Sequence, residues 1–243
     1  MERVTNSLSS DETSKKFDQG YFEGVGSAYV GGYALNDQLN IFFERRIADI
    51  CRCCGNRTRL KLLEVGCAYG FFLQLCERRG LIAFGVDVSD YAIDRARAIS
   101  HATLKVHDIE TGPPFTNEKF DVVAAFDVLE HTRDPSKAIK NIWSSLHDEG
   151  IVELSTPNPN SFLFRRVLHR WKDPDETHIS VKKPAQWVEM LQSSGFQVLR
   201  CKTESALVSN GHGLNRLLNA CLMLRSRCLL GDTTEIIARK IPQ

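Results

Sequence analysis

A chain of 243 residues with 42% hydrophobic and 25% charged residues has the composition of an ordinary globular protein, long enough for one α/β domain with a small appendage. A formal net charge of +1 gives no basic excess for nucleic acid. No apolar run reaches the ~18 residues of a spanning helix, and Met1 to Gln19 lacks the apolar core of a secretion signal.

In chain order, residues 1–16 are rich in Ser, Thr, Asp, Glu and Lys and are expected to form a disordered tail. Residues 17–33 hold five aromatics (Phe17, Tyr21, Phe22, Tyr29, Tyr33) and five glycines. Such a segment bends closely over something its rings then cover, so residues 17–55 are assigned to an N-terminal lid and helix. Leu39, Phe42, Phe43, Ile47 and Ile50 fall at helical spacing within 36–54. The eight cysteines include Cys51-Arg52-Cys53-Cys54, but no second knuckle at zinc spacing follows. Reduced thiols in a cytoplasmic protein are expected.

From residue 56 an alternation begins. Strands are predicted at 61–66, 82–87, 103–107, 120–126, 150–155, 196–203 and 234–240, with helices at 70–79, 90–99, 135–147 and 184–194. Strands alternating with helices give a mainly parallel sheet. Gly150, Gly195 and Gly231 punctuate the helix-to-strand turns. The basic cluster Arg165, Arg166, His169, Arg170 and Lys172 is read as a solvated helix face. The apolar stretch 213–230 interrupts what would otherwise be a final hairpin, so a helical insertion is placed at about 206–231.

The informative stretch is Leu62 to Leu75, LLEVGCAYGFFLQL. A strand ends in a glycine-bearing loop that opens a helix, where backbone N–H groups favour negative charge and a ligand can approach closely. The dinucleotide pattern G-x-G-x-x-G fails twice from Gly66, at Ala68 and at Phe71. That disfavours an oxidoreductase.

The pattern acid-x-Gly-x-Gly-x-Gly is met as Glu64-x-Gly66-x-Ala68-x-Gly70, with Ala68 the departure. Over roughly 60–243 the chain resembles class I S-adenosylmethionine (SAM)-dependent methyltransferases, in particular the branch of ubiquinone-pathway O-methyltransferases and natural-product methyltransferases. The resemblance implies an α/β, Rossmann-like seven-stranded sheet, mostly parallel and flanked by helices, over residues 56–243. It also implies SAM as cofactor and S-adenosylhomocysteine as product.

Residue by residue, the resemblance implies that Glu64 meets the cofactor's ammonium. Backbone at Gly66, Cys67, Ala68 and Gly70 faces its aminoacyl part. Asp87, about 20 residues on, takes the ribose hydroxyls, with Val88 along the adenine. The other role for Asp87 is a helix N-cap, which Ser89 or Asp90 fills better. Asp108 and Ile109 are placed at the adenine amine, although Asp108 also reads as a turn aspartate. Phe126 and Asp127 end the fourth strand beside the methyl position. Tyr21 and Tyr33 belong to the lid.

Asp127-Val128-Leu129-Glu130-His131 is similar to the acid-x-x-Glu-His whose side chains are implied in binding a divalent cation in the ubiquinone-pathway enzymes. The alternative is a structural role for Glu130 and His131, and no metal is assigned to the site. His131, His178 and Asp127 are the catalytic candidates, the histidines as general base and Asp127 as an orienting group. His178 alternatively serves only structure. The expected acceptor is small and apolar or aromatic, with oxygen favoured over nitrogen or carbon. The 213–230 helix is either a wall of the site or a face for a second copy of the chain. The reading from another class is a SAM-binding protein that has lost its acceptor site.

Overall fold

The computed structural model describes residues 15–25, 31–55, 57, 59–160, 175–204 and 233–242. Seven strands form one sheet: β1 (Lys61–Val65), β2 (Ile82–Asp87), β3 (Thr103–Val106), β4 (Phe120–Phe126), β5 (Leu146–Pro157), β6 (Phe196–Glu204) and β7 (Thr233–Lys240). Their order is β3-β2-β1-β4-β5-β7-β6. β1 to β5 run parallel, and β7 runs antiparallel to both β5 and β6. The six helices of the described residues are α1 (Gln19–Phe22), α2 (Asp37–Cys53), α3 (Phe71–Arg78), α4 (Asp90–Arg97), α5 (Pro135–Ser145) and α6 (Pro184–Ser193).

The central strands carry apolar residues continuously because both faces are covered. On one face, Val65, Val86, Val123 and Leu154 pack with Ile139, Ile142 and Trp187 of α5 and α6. On the other, Leu62, Val122, Ala124 and Ile237 pack with Phe43, Ile47, Phe72 and Leu73 of α2 and α3. Strand order proceeds from β1 towards β3 on one side and from β4 outwards on the other. The crevice between β1 and β4 is therefore the switch point, where ligands of open α/β sheets bind.

Helix α2 positions the roof of that crevice. Its N-cap Asn36 accepts from the Leu39 amide at 2.9 Å. Arg46, fully buried, turns inward and pairs with Glu153 of β5 (3.5 Å) and with Glu235 of β7. Asp49 binds Arg200 of β6, and Lys202 reaches Glu235 at 2.8 Å. This ion network fastens α2 to three strands. Burial pushes the Glu153 carboxyl up to about 8, against the pull of Arg46.

Element boundaries fall within about two residues of the sequence expectation except at the start of β5. β5 begins at Leu146 rather than at 150. Its pairing with β4 shifts register between Phe120 and Val122, and Glu149 takes φ 63°. A bulge thus absorbs the polar His147-Asp148-Glu149, and Gly150 lies inside the strand, not in a turn. Lys15 and Lys16, assigned to the tail, sit with Phe17 in a 3₁₀ turn. The rest of the expected tail, Tyr29, the basic cluster at 165–172, Gly231 and the insertion at 206–231 with its 213–230 helix lie outside the described residues. Among the described residues no helix is long and apolar enough to cross a membrane.

Candidate functional site

The carboxyl ends of β1, β2 and β4, together with the turn after β3, form the floor of a pocket. The N-terminal segment forms its roof. The pocket holds about 1050 Å³ of empty space, its open mouth included. Of the expected site residues, Tyr21, Tyr33, Glu64, Gly66, Ala68, Asp87, Val88, Asp108, Ile109, Phe126, Asp127 and His131 line it. Three do not. Cys67 faces the core beneath the loop, in the cluster with Leu73 and Cys76, so only its backbone can take part. Gly70 is the N-cap of α3 and packs on Ala96. His178 stands behind His131, ring centroids 4.6 Å apart.

The loop after β1 is held on β2. Gly66 and Cys67 both donate to the Val86 carbonyl (2.8 and 3.0 Å), and the Ala68 amide donates to Asp87 Oδ2 at 2.9 Å. Gly66 has φ 72°, and a Cβ there would stand 2.3 Å from Val128 Cγ2, so only glycine fits. Ala68 adopts φ 45°, a left-handed conformation that favours glycine. This is the position at which the sequence departs from the glycine pattern.

Two buried carboxylates face the pocket. Glu64 is 4% exposed, and its Oε2 has no hydrogen-bond partner among the described residues. Burial, then the adjacent Asp87 charge, pushes its carboxyl well above the usual range. A buried, uncompensated carboxylate in a pocket fits a cationic ligand group. Asp87 is raised by burial, against hydrogen bonds from the Ser89, Ala68 and Val88 amides that favour its charge. Ser89, not Asp87, caps α4, accepting from the Ala92 amide at 3.2 Å. Asp87 is thereby left facing the pocket with lone pairs beyond those used by the loop. Asp108 shows the turn role read from the sequence and also a place in the pocket wall. It closes a turn by accepting from the Glu110 amide (2.8 Å), and it lines the pocket.

The roof is aromatic. Phe22 and Tyr33 pack on Tyr69, with centroids at 5.2 and 5.3 Å. Phe42 and Phe43 of α2 pack on Phe126 at 5.4 and 6.3 Å. Phe17 stands edge-on to His131 at 5.2 Å. Phe17 and Phe22 line the pocket as rings of the expected lid, and Leu39, Phe42, Phe43, Val65, His107, Glu110, Val128 and Thr132 line it without having been assigned to it. The helical spacing of 36–54 marked the apolar face of α2, but not that its first turns reach beyond the sheet edge.

Asp127 sits at φ 52°, its amide on the Ser155 carbonyl (3.0 Å) and its Oδ1 accepting from the Ser155 hydroxyl (3.1 Å). Glu130, His131 and His178 place one ligand atom each within 4.8 Å of one another, and Asp127 is not in that group. The donor set available to a cation therefore differs from the Asp127, Glu130 and His131 trio suggested by the sequence. Asp175 and Thr177, not assigned from sequence, complete this corner beside His178. The Tyr21 hydroxyl donates to Asp175 Oδ2 at 3.1 Å, and Thr177 Oγ1 lies 2.9 Å from His131 Nδ1.

Comparison with known proteins agrees with this geometry. A family model described as a methyltransferase domain matches residues 39–200. Among curated relatives, the ubiquinone biosynthesis O-methyltransferase of Neisseria meningitidis serogroup A is 29% identical over 167 residues, 61% of this chain and 67% of the relative. That of Haemophilus ducreyi is 32% identical over 107 residues, 40% and 45%. The malonyl-acyl-carrier-protein O-methyltransferase of a Paenibacillus species is 25% identical over 175 residues, 62% and 60%. The match therefore spans about half to two thirds of these relatives.

Two solved structures illustrate the fold. A SAM-dependent methyltransferase from Archaeoglobus fulgidus aligns with TM-score 0.58 and 21% identity over 82% of this chain and 94% of its own. The (4+2)-cyclase SpnF aligns with TM-score 0.59 and 19% identity over 82% and 81%. At such identities these structures speak to the fold alone.

Proposed function

The chain belongs to the methyltransferase-domain family, with SAM as its cofactor, and from that premise we propose that it methylates an oxygen of a small, largely apolar or aromatic acceptor. The observation that carries this reading is the pairing, in one aromatic-roofed pocket at the switch point, of Glu64 Oε2, without a hydrogen-bond partner among the described residues, with Asp87. One carboxylate suits an ammonium and the other a ribose diol. The family supplies the premise, and the relatives' shared O-methyltransferase names favour oxygen.

SAM supplies an electrophilic methyl on a sulfonium. In this reading Glu64 holds the ammonium, and the Gly66–Ala68 backbone cradles the aminoacyl part. Asp87 takes the ribose hydroxyls, while Val88, Asp108 and Ile109 hold the adenine. The protein then has to hold the acceptor oxygen in line with the methyl and free it of its proton. Asp127, at the end of β4, orients the acceptor hydroxyl. His131 lines the pocket and takes the proton, while His178, behind it, supports its ring. Phe17, Tyr21, Phe22, Tyr33 and Phe42 keep water from the reacting atoms and give the acceptor an apolar wall. No metal enters the proposal.

Calorimetric titration with S-adenosylhomocysteine, with NAD⁺ and NADP⁺ as controls, tests the cofactor site. S-adenosylhomocysteine production with a panel of phenols, catechols and apolar carboxylic acids tests the reaction. Binding of S-adenosylhomocysteine alone, with turnover on a panel member, is the expected result. Binding without turnover on any oxygen, nitrogen or carbon acceptor would favour a non-catalytic SAM-binding protein. One fold neighbour is a cyclase, so the fold does not by itself fix the reaction.

A further inference from the structure

His131 Nδ1 lies 2.9 Å from Thr177 Oγ1, which donates to Asp175 Oδ1 at 2.5 Å. Asp175 Oδ1 also accepts from the Thr177 amide at 2.9 Å, and Oδ2 accepts from the Tyr21 hydroxyl at 3.1 Å. A carboxylate receiving three hydrogen bonds is ionised and acts only as acceptor. Burial raises the Asp175 carboxyl, but the Thr177 hydroxyl and amide, the His178 charge and the Tyr21 hydroxyl outweigh it, leaving a net lowering.

Hydrogen-bond direction then follows from counting protons. The Thr177 hydroxyl has one, and it is spent on Asp175. Its oxygen can only accept from His131. His131 Nδ1 must therefore carry a proton, and the lone pair of the neutral ring is on Nε2.

We propose that Asp175 and Thr177 are positioning residues that hold His131 as its Nδ1–H tautomer with a basic Nε2, and that Tyr21 ties this relay to the N-terminal roof. The assignment deepens the proposed function, since it rests on His131 as the base. The relay joins three distant pieces of chain: α1 through Tyr21, the turn after β4 through His131, and the 175–177 segment between them. Phe17, edge-on to His131 at 5.2 Å, and His178, 4.6 Å from it, pack on the ring and restrict its plane. A roof that moves away from Asp175 removes one of its three hydrogen bonds, so the base is best held when the pocket is covered.

The test is a two-bond ¹H–¹⁵N correlation spectrum of the full chain with ¹⁵N-labelled histidine. It is recorded after chelator treatment, at a pH where imidazoles are neutral, with His131 assigned from its absence in His131→Gln. The wild type should show a protonated Nδ1 and a bare Nε2. Thr177→Val should lose that tautomer preference, Asp175→Asn should weaken it, and Thr177→Ser should keep it. A wild-type His131 protonated on Nε2, or a Thr177→Val spectrum identical to wild type, would overturn the relay.

On an acceptor found by the panel above, Thr177→Val should lower kcat on the order of tenfold to a hundredfold. KM and S-adenosylhomocysteine affinity should stay within about twofold, and Thr177→Ser should restore the rate. Loss of cofactor affinity in Thr177→Val would assign the segment to cofactor binding instead. If the wild type binds no S-adenosylhomocysteine, the methyltransferase site is refuted, while the tautomer measurement still decides the relay. Should Thr177→Val fail to fold, Thr177→Ala carries the same spectral prediction, and Asp175→Asn the weakening already stated.

Discussion

Replacing Glu64 with Gln keeps the side chain's shape and removes its charge from the end of β1. In the ligand-free protein this carboxyl is buried, its Oε2 meets no hydrogen-bond partner among the described residues, and burial and Asp87 hold it well above its ordinary range. A ligand ammonium placed against it reverses that shift, because an opposite charge favours the ionised form. Binding of an aminoacyl ligand should therefore expel a proton, and affinity should rise with pH towards the raised value. A hydrogen bond to a charged partner is worth about 1.5–3 kcal/mol, so Glu64→Gln should weaken binding roughly 10- to 150-fold. S-adenosylhomocysteine is the right probe, since it keeps the ammonium and lacks the sulfonium charge. Calorimetry in two buffers of different ionisation enthalpy reads the proton count directly. The wild type should release protons on binding at pH values above the ordinary carboxylate range, and the variant should not. If Glu64→Gln binds within about twofold of wild type and releases protons as before, the ammonium lies elsewhere, and Asp127 becomes its partner.

Three further outcomes are expected. Asp87→Ala should weaken S-adenosylhomocysteine binding well over tenfold, through lost ribose contacts and a loop amide at Ala68 that no longer has its acceptor; unchanged affinity in calorimetry would refute the placement. Gly66→Ala should cost about 2–5 kcal/mol of stability, from a left-handed residue and a Cβ driven into Val128, and Val128→Ala in the same chain should recover part of the loss in a thermal melt. Glu153 has a folded value of about 8 against an ordinary 4.5, so its stabilising contribution is full below the lower value and is lost as pH rises through the upper one. Glu153→Gln should flatten the stability profile across that window, where the wild type falls by at most about 1.4 kcal/mol per pH unit, as chemical denaturation at several pH values would show.

What the sequence revealed and what it concealed divide along range of interaction. The loop after β1 was legible because its signals are local: an acid, then small residues, between a strand and a helix. Asp87 was legible because the distance from that loop to the end of the next strand is set by one helix and two turns. Even the departure at Ala68 had meaning, for that residue now occupies a left-handed conformation. The bulge in β5 was hidden because His147 to Gly150 has turn composition, and only the β4 register shows it to be strand. The Arg46 network was hidden for a different reason. Its partners lie 107 and 189 positions away in number, at Glu153 and Glu235, and no periodicity links an inward charge to a counter-charge on another strand.

The corner around His131 follows the same rule and carries a functional consequence. Its sequence signal, Asp127 to His131, is similar to a run of cation ligands along one turn, although no metal is assigned to it. In the folded chain that turn is split: Asp127 faces Ser155, while His131 turns toward Thr177 and His178. The chemistry of a histidine depends on which nitrogen is held, and in the proposed relay that is set by Thr177 and Asp175, neither of which carries a motif. Tyr21 was expected in the roof for its ring, yet its hydroxyl is what reaches the same carboxylate. The aromatic segment thus has two tasks that a composition count merges into one. Its rings line the roof of the pocket, and one phenol reaches the Asp175 carboxylate beside His131.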